Sequence, residues 1–120
     1  MEANLTDTFN VTVQKSNNYA IIRTDGYVNN LGGEKISETA NQLIDSGIYK
    51  LILNFEKSTV VNSIGISILI EVIEKIIEIE GKIIFCHLTK TIAKTFNIMG
   101  LTQYAEIYET EAEAVSKAAD

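Results

Sequence analysis

Two polar residues, Asn62 and Ser63, interrupt an otherwise apolar passage in the segment VVNSIGIS, residues 60–67. Either side chain can accept a hydrogen bond from the free amides that open a helix, so either can act as a helix cap. A serine in that place can also present its hydroxyl to solvent. A helix N-terminus carries partial positive charge and unpaired N–H groups, which favours a phosphate there. Phosphorylating a serine adds roughly two negative charges at neutral pH, enough to break a protein interface by repulsion and desolvation. Cap and switch are both open readings of Ser63.

Enzyme chemistry has little else to use. The one histidine, His87, and the one cysteine, Cys86, are neighbours on an expected strand. Successive strand side chains point to opposite faces, so the pair cannot converge as base and nucleophile, and both are read as structural. CxxC and HExxH pairs and carboxylate clusters with metal-ligand spacing are absent from the sequence. Gly26, Gly32 and Gly33 follow a strand but form neither GxGxxG nor a P-loop, and read as loop glycines. The GIS after Ser63 is not a nucleophile elbow, which needs a glycine before the serine. The chain is therefore read as a non-enzyme with no cofactor and no metal.

Composition narrows the partners. At 120 residues, 46% hydrophobic and 22% charged, the chain has the make-up of one globular domain able to bury its own core. A net charge of -6 and a pI near 4.7 disfavour nucleic acid and anionic membranes, which are recognised by clustered Lys and Arg. The longest apolar stretch, residues 64–79, is broken by Ser67, Glu71, Glu74, Lys75 and Glu78, so it is not a membrane span. MEANLTDTFN has no basic residue and no apolar core, so no secretory signal is expected. With a single cysteine, a reducing, cytoplasmic home is the simplest reading.

The elements that must position Ser63 follow from periodicity. FNVTVQK alternates, placing Phe9, Val11 and Val13 on one strand face, and a turn at Ser16-Asn17-Asn18 leads into a second strand, YAIIRT. Asn29, Asn30, Gly32 and Gly33 mark a loop. Ile36, Ala40, Leu43 and Ile44 then form a helical stripe, closed by Gly47 in a left-handed cap. KLILNF suits a central strand buried on both faces. The longest helix is expected over residues 63–80, with Glu71, Glu74, Lys75 and Glu78 on its solvent face and Gly81 as its stop. KIIFCHL is another buried strand. A third helix over residues 89–98 closes at Gly100, a weak strand covers residues 105–108, and TEAE opens an acidic last helix with a capping box. The order β-β-α-β-α-β-α-β-α predicts a mostly parallel sheet with an antiparallel hairpin at one side.

The strand LILNF, the connection KSTVVN and the run NSIGISILIEVIEKIIEIEGKIIFCHL carry a resemblance that extends into the tail TKTIAKTFNIMGLTQYAEIYETEAEAV and back to the hairpin and GYVNN. Together they resemble the STAS domain of bacterial anti-sigma factor antagonists over residues 9–118. The resemblance implies an α/β fold: a single STAS-like domain after a flexible stretch at residues 1–8, with a mixed, mostly parallel sheet and helices packed largely on one face. It implies a binding protein in a partner-switching pathway of transcription regulation. The expected partners are an anti-sigma factor that is also a serine kinase and a cognate phosphatase, with no nucleic acid and no membrane insertion. The expected state is a monomer or weak dimer.

Carried over by position, Ser63 takes the place of the phosphorylated serine, Asn62 that of the family's Asp, Ile64 that of a second Ser/Thr and Gly65 that of the glycine. Asn54 and Asn29 also stand where the family favours acids, which leaves the local surface less negative. The partner surface expected from this is Tyr27, Asn29, Ser58, Thr59, Asn62, Ser63, Ile64, Gly65 and Ser67. Tyr27 reads equally as an aromatic anchor or a turn-packing residue. Ser67, one helical turn after Ser63, is either a contact or a small packing residue. Two other roles fit the resemblance: a non-phosphorylated scaffold or subunit of a transport or lipid-trafficking complex, and a small-ligand sensor using residues 26–33 and the start of the long helix.

Overall fold

The structure, a computed structural model, describes residues 8–119. All but Thr8 of the flexible stretch expected at residues 1–8 lies outside the described residues. Strand β1 (Asn10–Lys15) pairs antiparallel with β2 (Ala20–Asp25) as the expected hairpin. Then come α1 (Asn30–Asp45), β3 (Lys50–Lys57), α2 (Ser63–Glu78), β4 (Lys82–Cys86), α3 (Lys90–Ile98), a short turn of 3-10 helix at Leu101–Gln103, β5 (Glu106–Tyr108) and α4 (Glu111–Ala119). The five strands lie in the order β1-β2-β3-β4-β5, and every pairing after the hairpin is parallel.

Alternation along β3 shows why this strand reads as one apolar run. Leu51, Leu53 and Phe55 enter the larger core with residues of α1, α2 and α3, while Ile52 faces the other way. There it joins Ile21, Ile84 and Cys86 beneath Ala114 and Ala118 of α4. Three helices thus cover one face of the sheet and α4 lies on the other. In the larger core the rings of Phe55, Phe85 and Phe96 stack edge to face, with centroids 5.6 and 5.0 Å apart. Phe9, just before β1, is buried but Val13 within it is exposed, so the expected apolar face fades toward the hairpin turn on this edge strand.

Two local expectations are corrected. Asn30, Gly32 and Gly33 are helical rather than loop residues, because Asn29 caps α1 by accepting the Gly32 N–H at 3.0 Å. The glycines are demanded by close approach: a Cβ on Gly32 would sit 2.6 Å from the Tyr27 carbonyl oxygen, and one on Gly33 would sit 2.9 Å from Ile68 of α2. At the other end of α2, the helix stops at Glu78, and Glu80, not Gly81, takes the left-handed conformation (φ 60°). Gly81 donates to the Ile76 carbonyl and lies against Tyr49, whose carbonyl oxygen would be 2.3 Å from an added Cβ.

Helix α4 is tied to the sheet by polar contacts. The Arg23 guanidinium donates from Nε and Nη2 to the two carboxylate oxygens of Glu111, both at 2.8 Å, and Asn54 Nδ2 donates to Glu111 Oε1 at 2.9 Å. The Glu111 N–H donates to His87 Nε2 at 3.1 Å, which gives the histidine a structural task. The expected capping box is present: Glu113 N–H donates to Thr110 Oγ1, and Thr110 N–H to Glu113 Oε1. Cys86 lies beneath this helix, its thiol pushed up to about 12, first by burial.

The Arg23 hydrogen bond holds the Glu111 carboxyl below its ordinary value of 4.5. A lowered folded-state value means that this interaction stabilises the fold above pH 4.5 and is lost as pH falls through the lowered value. Glu111→Gln should therefore be less stable than wild type near neutrality, with the gap closing at acid pH in urea titrations. Gly81→Ala should lower stability by about 1–3 kcal/mol through overpacking against Tyr49. Glu80→Gly, which removes a left-handed side-chain penalty, should leave the urea midpoint unchanged or raise it.

Candidate functional site

The chain segments that leave β2 and β3 run side by side. Val28 N–H donates to the Val60 carbonyl at 3.0 Å, and Asn62 N–H donates to the Val28 carbonyl at 3.1 Å, forming an isolated parallel bridge between Val28 and Val61. Each segment then enters a helix by the same device. Asn29 accepts the Gly32 N–H to open α1, and Asn62 Oδ1 accepts the Gly65 N–H at 2.8 Å to open α2. The bridge and the two asparagine caps bring both helix N-termini to one corner. Neither first turn contains an acidic residue, so the positive ends of both helices are left without a carboxylate of their own.

Between the two candidate caps the choice falls on Asn62. Ser63 is the first residue of α2 and is exposed, and its hydroxyl takes no part in the cap. Its carbonyl accepts the Ser67 hydroxyl at 3.1 Å, so Ser67 also lies on the exposed side of the helix rather than against the sheet. Thr59 and Ile64 are exposed, Tyr27 is 36% exposed, and Asn29 and Asn62 are half-buried with their side-chain oxygens engaged in capping.

Two expected surface residues lie inside. Ser58 is fully buried, its hydroxyl 2.7 Å from that of Thr24, so it supports the loop from below and offers no contact surface. Gly65 is also buried: a Cβ there would fall 2.1 Å from the Val28 carbonyl oxygen. Its lack of a side chain lets α2 start against the bridge.

Two apolar residues at the corner were not singled out by the sequence reading. Leu31, on the exposed side of the first turn of α1, is 46% exposed, and Val60, before the bridge, is 54% exposed. With Tyr27 and Ile64 they put four exposed apolar side chains at the corner, among the exposed polar residues Asn30, Thr59, Ser63 and Ser67. Leu31 is hidden because residues 29–33 read as loop, and Val60 because it reads as part of an apolar passage. A groove of about 370 Å³ adjoins the corner, lined by Thr59, Val60, Val61 and Ile66 on one side and by Thr89, Thr91, Ile92 and Thr95 on the other.

Among the described residues, no group of His, Cys, Asp and Glu is arranged to hold a metal ion. Among the same residues, no helix is long and apolar enough to cross a membrane.

A sheet with one antiparallel hairpin, parallel pairings thereafter and a capped serine corner at the start of α2 is the architecture of a STAS domain. The family model for that domain matches residues 10–114, and the chain belongs to the STAS family. A Bordetella bronchiseptica protein bearing the name anti-sigma factor antagonist BtrV is 21% identical over 90 residues, 75% of this chain and 78% of the relative. Among solved structures, an anti-sigma factor antagonist from Mycobacterium paratuberculosis superposes with a TM-score of 0.81 at 15% identity, covering 95% of this chain and 97% of the other. The Bacillus protein SpoIIAA matches in both its states. Its unphosphorylated form gives a TM-score of 0.74 at 20% identity over 90% of this chain and 96% of that one. Its phosphorylated form gives 0.73 at 22% identity over 90% and 98%. At these identities the likeness is one of fold.

The assignment of the cap has a direct test. Asn62→Ala should destabilise the chain by about 1 kcal/mol, as lost N-caps do, whereas Ser63→Ala should stay within about 0.5 kcal/mol. Urea denaturation followed by far-UV circular dichroism separates the two, and the reverse order would make Ser63 the structural cap.

Proposed function

We propose that this chain is an anti-sigma factor antagonist-like binding protein of the bacterial cytoplasm, working in a partner-switching pathway under reversible phosphorylation of Ser63. One observation carries the reading: Asn62 supplies the helix cap, which leaves the Ser63 hydroxyl exposed at the positive end of α2. The apolar surface of Tyr27, Leu31, Val60 and Ile64 is suited to a protein partner, because burying such groups drives association. A phosphoryl group in the middle of that surface keeps its water and its charge, and so opposes closure of the interface. The name of the Bordetella relative and the two states of SpoIIAA point the same way.

In this reading the partner is an anti-sigma factor with serine kinase activity, and a phosphatase restores the free hydroxyl. The corner presents Tyr27, Thr59, Ser63, Ile64 and Ser67, with Asn29, Asn62 and Gly65 shaping it from within and Ser58 bracing it. The chain itself works as a monomer or weak dimer and carries no catalytic group.

The test is incubation with the serine kinase encoded beside the gene, ATP and Mg²⁺, followed by intact-mass measurement and fragment mapping. One phosphoryl group is expected, on Ser63. Ser63→Asp should bind that kinase at least about tenfold more weakly, a loss of about 1.4 kcal/mol, while keeping the wild-type circular dichroism spectrum. Equal binding by Ser63→Asp and wild type would refute the switch and leave a scaffold.

A further inference from the structure

From its middle to its C-terminal end, α2 carries a second apolar surface that the serine corner does not use. Ile70, Ile73 and Ile77 of α2 form one wall of an open groove of about 680 Å³, and Met99, Leu101 and Tyr104, just after α3, form the other. Ile77, Met99 and Tyr104 are 41%, 47% and 58% exposed, and Ile98 beside them is 72% exposed. Such a concentration of large apolar side chains on a small, acidic chain is unusual away from an interaction site.

The charges that line the groove are of one sign. Glu74 and Glu78 belong to its lining, and no Lys or Arg does. The one basic residue of α2, Lys75, is turned away, donating from Nζ to Asn41 Oδ1 of α1 at 2.7 Å. An apolar channel edged by carboxylates is complementary to an amphipathic helix with apolar residues at i, i+3, i+4 and i+7 and Lys or Arg beside them. The same charges disfavour two other occupants. A second copy docked here by a two-fold axis would bring Glu74 and Glu78 against a copy's equivalents, and an anionic lipid surface would meet them too.

We propose that the groove between α2 and the turn at residues 99–104 docks a basic amphipathic helix of a partner protein. Along α2, Ser63 lies roughly 10 Å from Ile70 and roughly 20 Å from Ile77, at about 1.5 Å rise per residue, so a helix seated toward Ile77, Met99 and Tyr104 leaves the serine corner open. Occupancy of the groove is accordingly independent of the charge on Ser63.

The experiment titrates the ¹⁵N-labelled full chain with a short synthetic helical peptide having a leucine stripe flanked by lysines, and with a control in which glutamates replace the lysines. The lysine peptide should shift amide signals at Ile70, Ile73, Ile77, Met99 and Tyr104 and leave those around Ser63 in place. Glu74→Lys combined with Glu78→Lys should weaken the lysine peptide at least about tenfold and strengthen the control. Both sites are exposed on the helix surface, so folding should be retained. Ser63→Asp should leave the peptide affinity unchanged. The proposal is overturned by shifts that map elsewhere or are absent, by equal affinity for the two peptides, or by sedimentation showing self-association that Met99→Ser and Tyr104→Ser abolish.

Discussion

Two backbone hydrogen bonds, from Val28 N–H to the Val60 carbonyl and from Asn62 N–H to the Val28 carbonyl, set the geometry on which the serine corner depends. They extend the pairing of β2 with β3 beyond the sheet proper, so the chain enters α1 and α2 from a shared, fixed platform. Everything packed on that platform must be thin. Gly65 admits the Val28 carbonyl, and Gly32 admits that of Tyr27, at distances no Cβ could occupy. With the platform in place, Asn29 and Asn62 satisfy the first free amides of their helices, a role that shifts the burden of capping from Ser63 to its neighbour. The exposed hydroxyl is thus a by-product of which residue caps.

The lower half of the fold is governed by a different kind of contact. Helix α4 covers only the face formed by Ile21, Ile52, Ile84 and Cys86, and its own apolar contribution is small, centred on Ala114 and Ala118. The Arg23–Glu111 pair, the Asn54 amide and His87 fix its first turn at the sheet end nearest the corner. Asn54 therefore does a job that a carboxylate could not: it donates to Glu111 while accepting from the Glu56 N–H at 2.8 Å. An aspartate there would place a second negative charge against Glu111. The amide at that position follows from the company it keeps.

Much of this was legible in the sequence because the strong signals are periodic. The isoleucine-rich run of α2, the apolar centre of β3 and the stripe Ile36, Ala40, Leu43 and Ile44 carry strong periodic signals, and the order of the elements follows the pattern. Some ends differ: α1 begins earlier, at Asn30, and β4 stops at Cys86, with His87 left-handed (φ 58°) rather than in the strand. The capping box at Thr110 and Glu113 was equally readable, since its chemistry is local. What escaped depends on neighbours distant in sequence. Gly32 and Gly33 look like loop residues until Tyr27 and Ile68 are seen to press on them. Ser58 looks like a surface hydroxyl until Thr24 takes it inside. Leu31 sits in what looks like a loop and Val60 in an apolar passage, and only the packing shows both exposed at the corner.

The rigidity of the bridge has a kinetic consequence. A platform held by paired backbone groups, with both helix starts already capped, resists rearrangement when the charge at its surface changes. Under the proposed switch, a phosphoryl group on Ser63 would therefore be read by the partner directly. In that scheme the delay between phosphorylation and response would be set by dissociation of the complex.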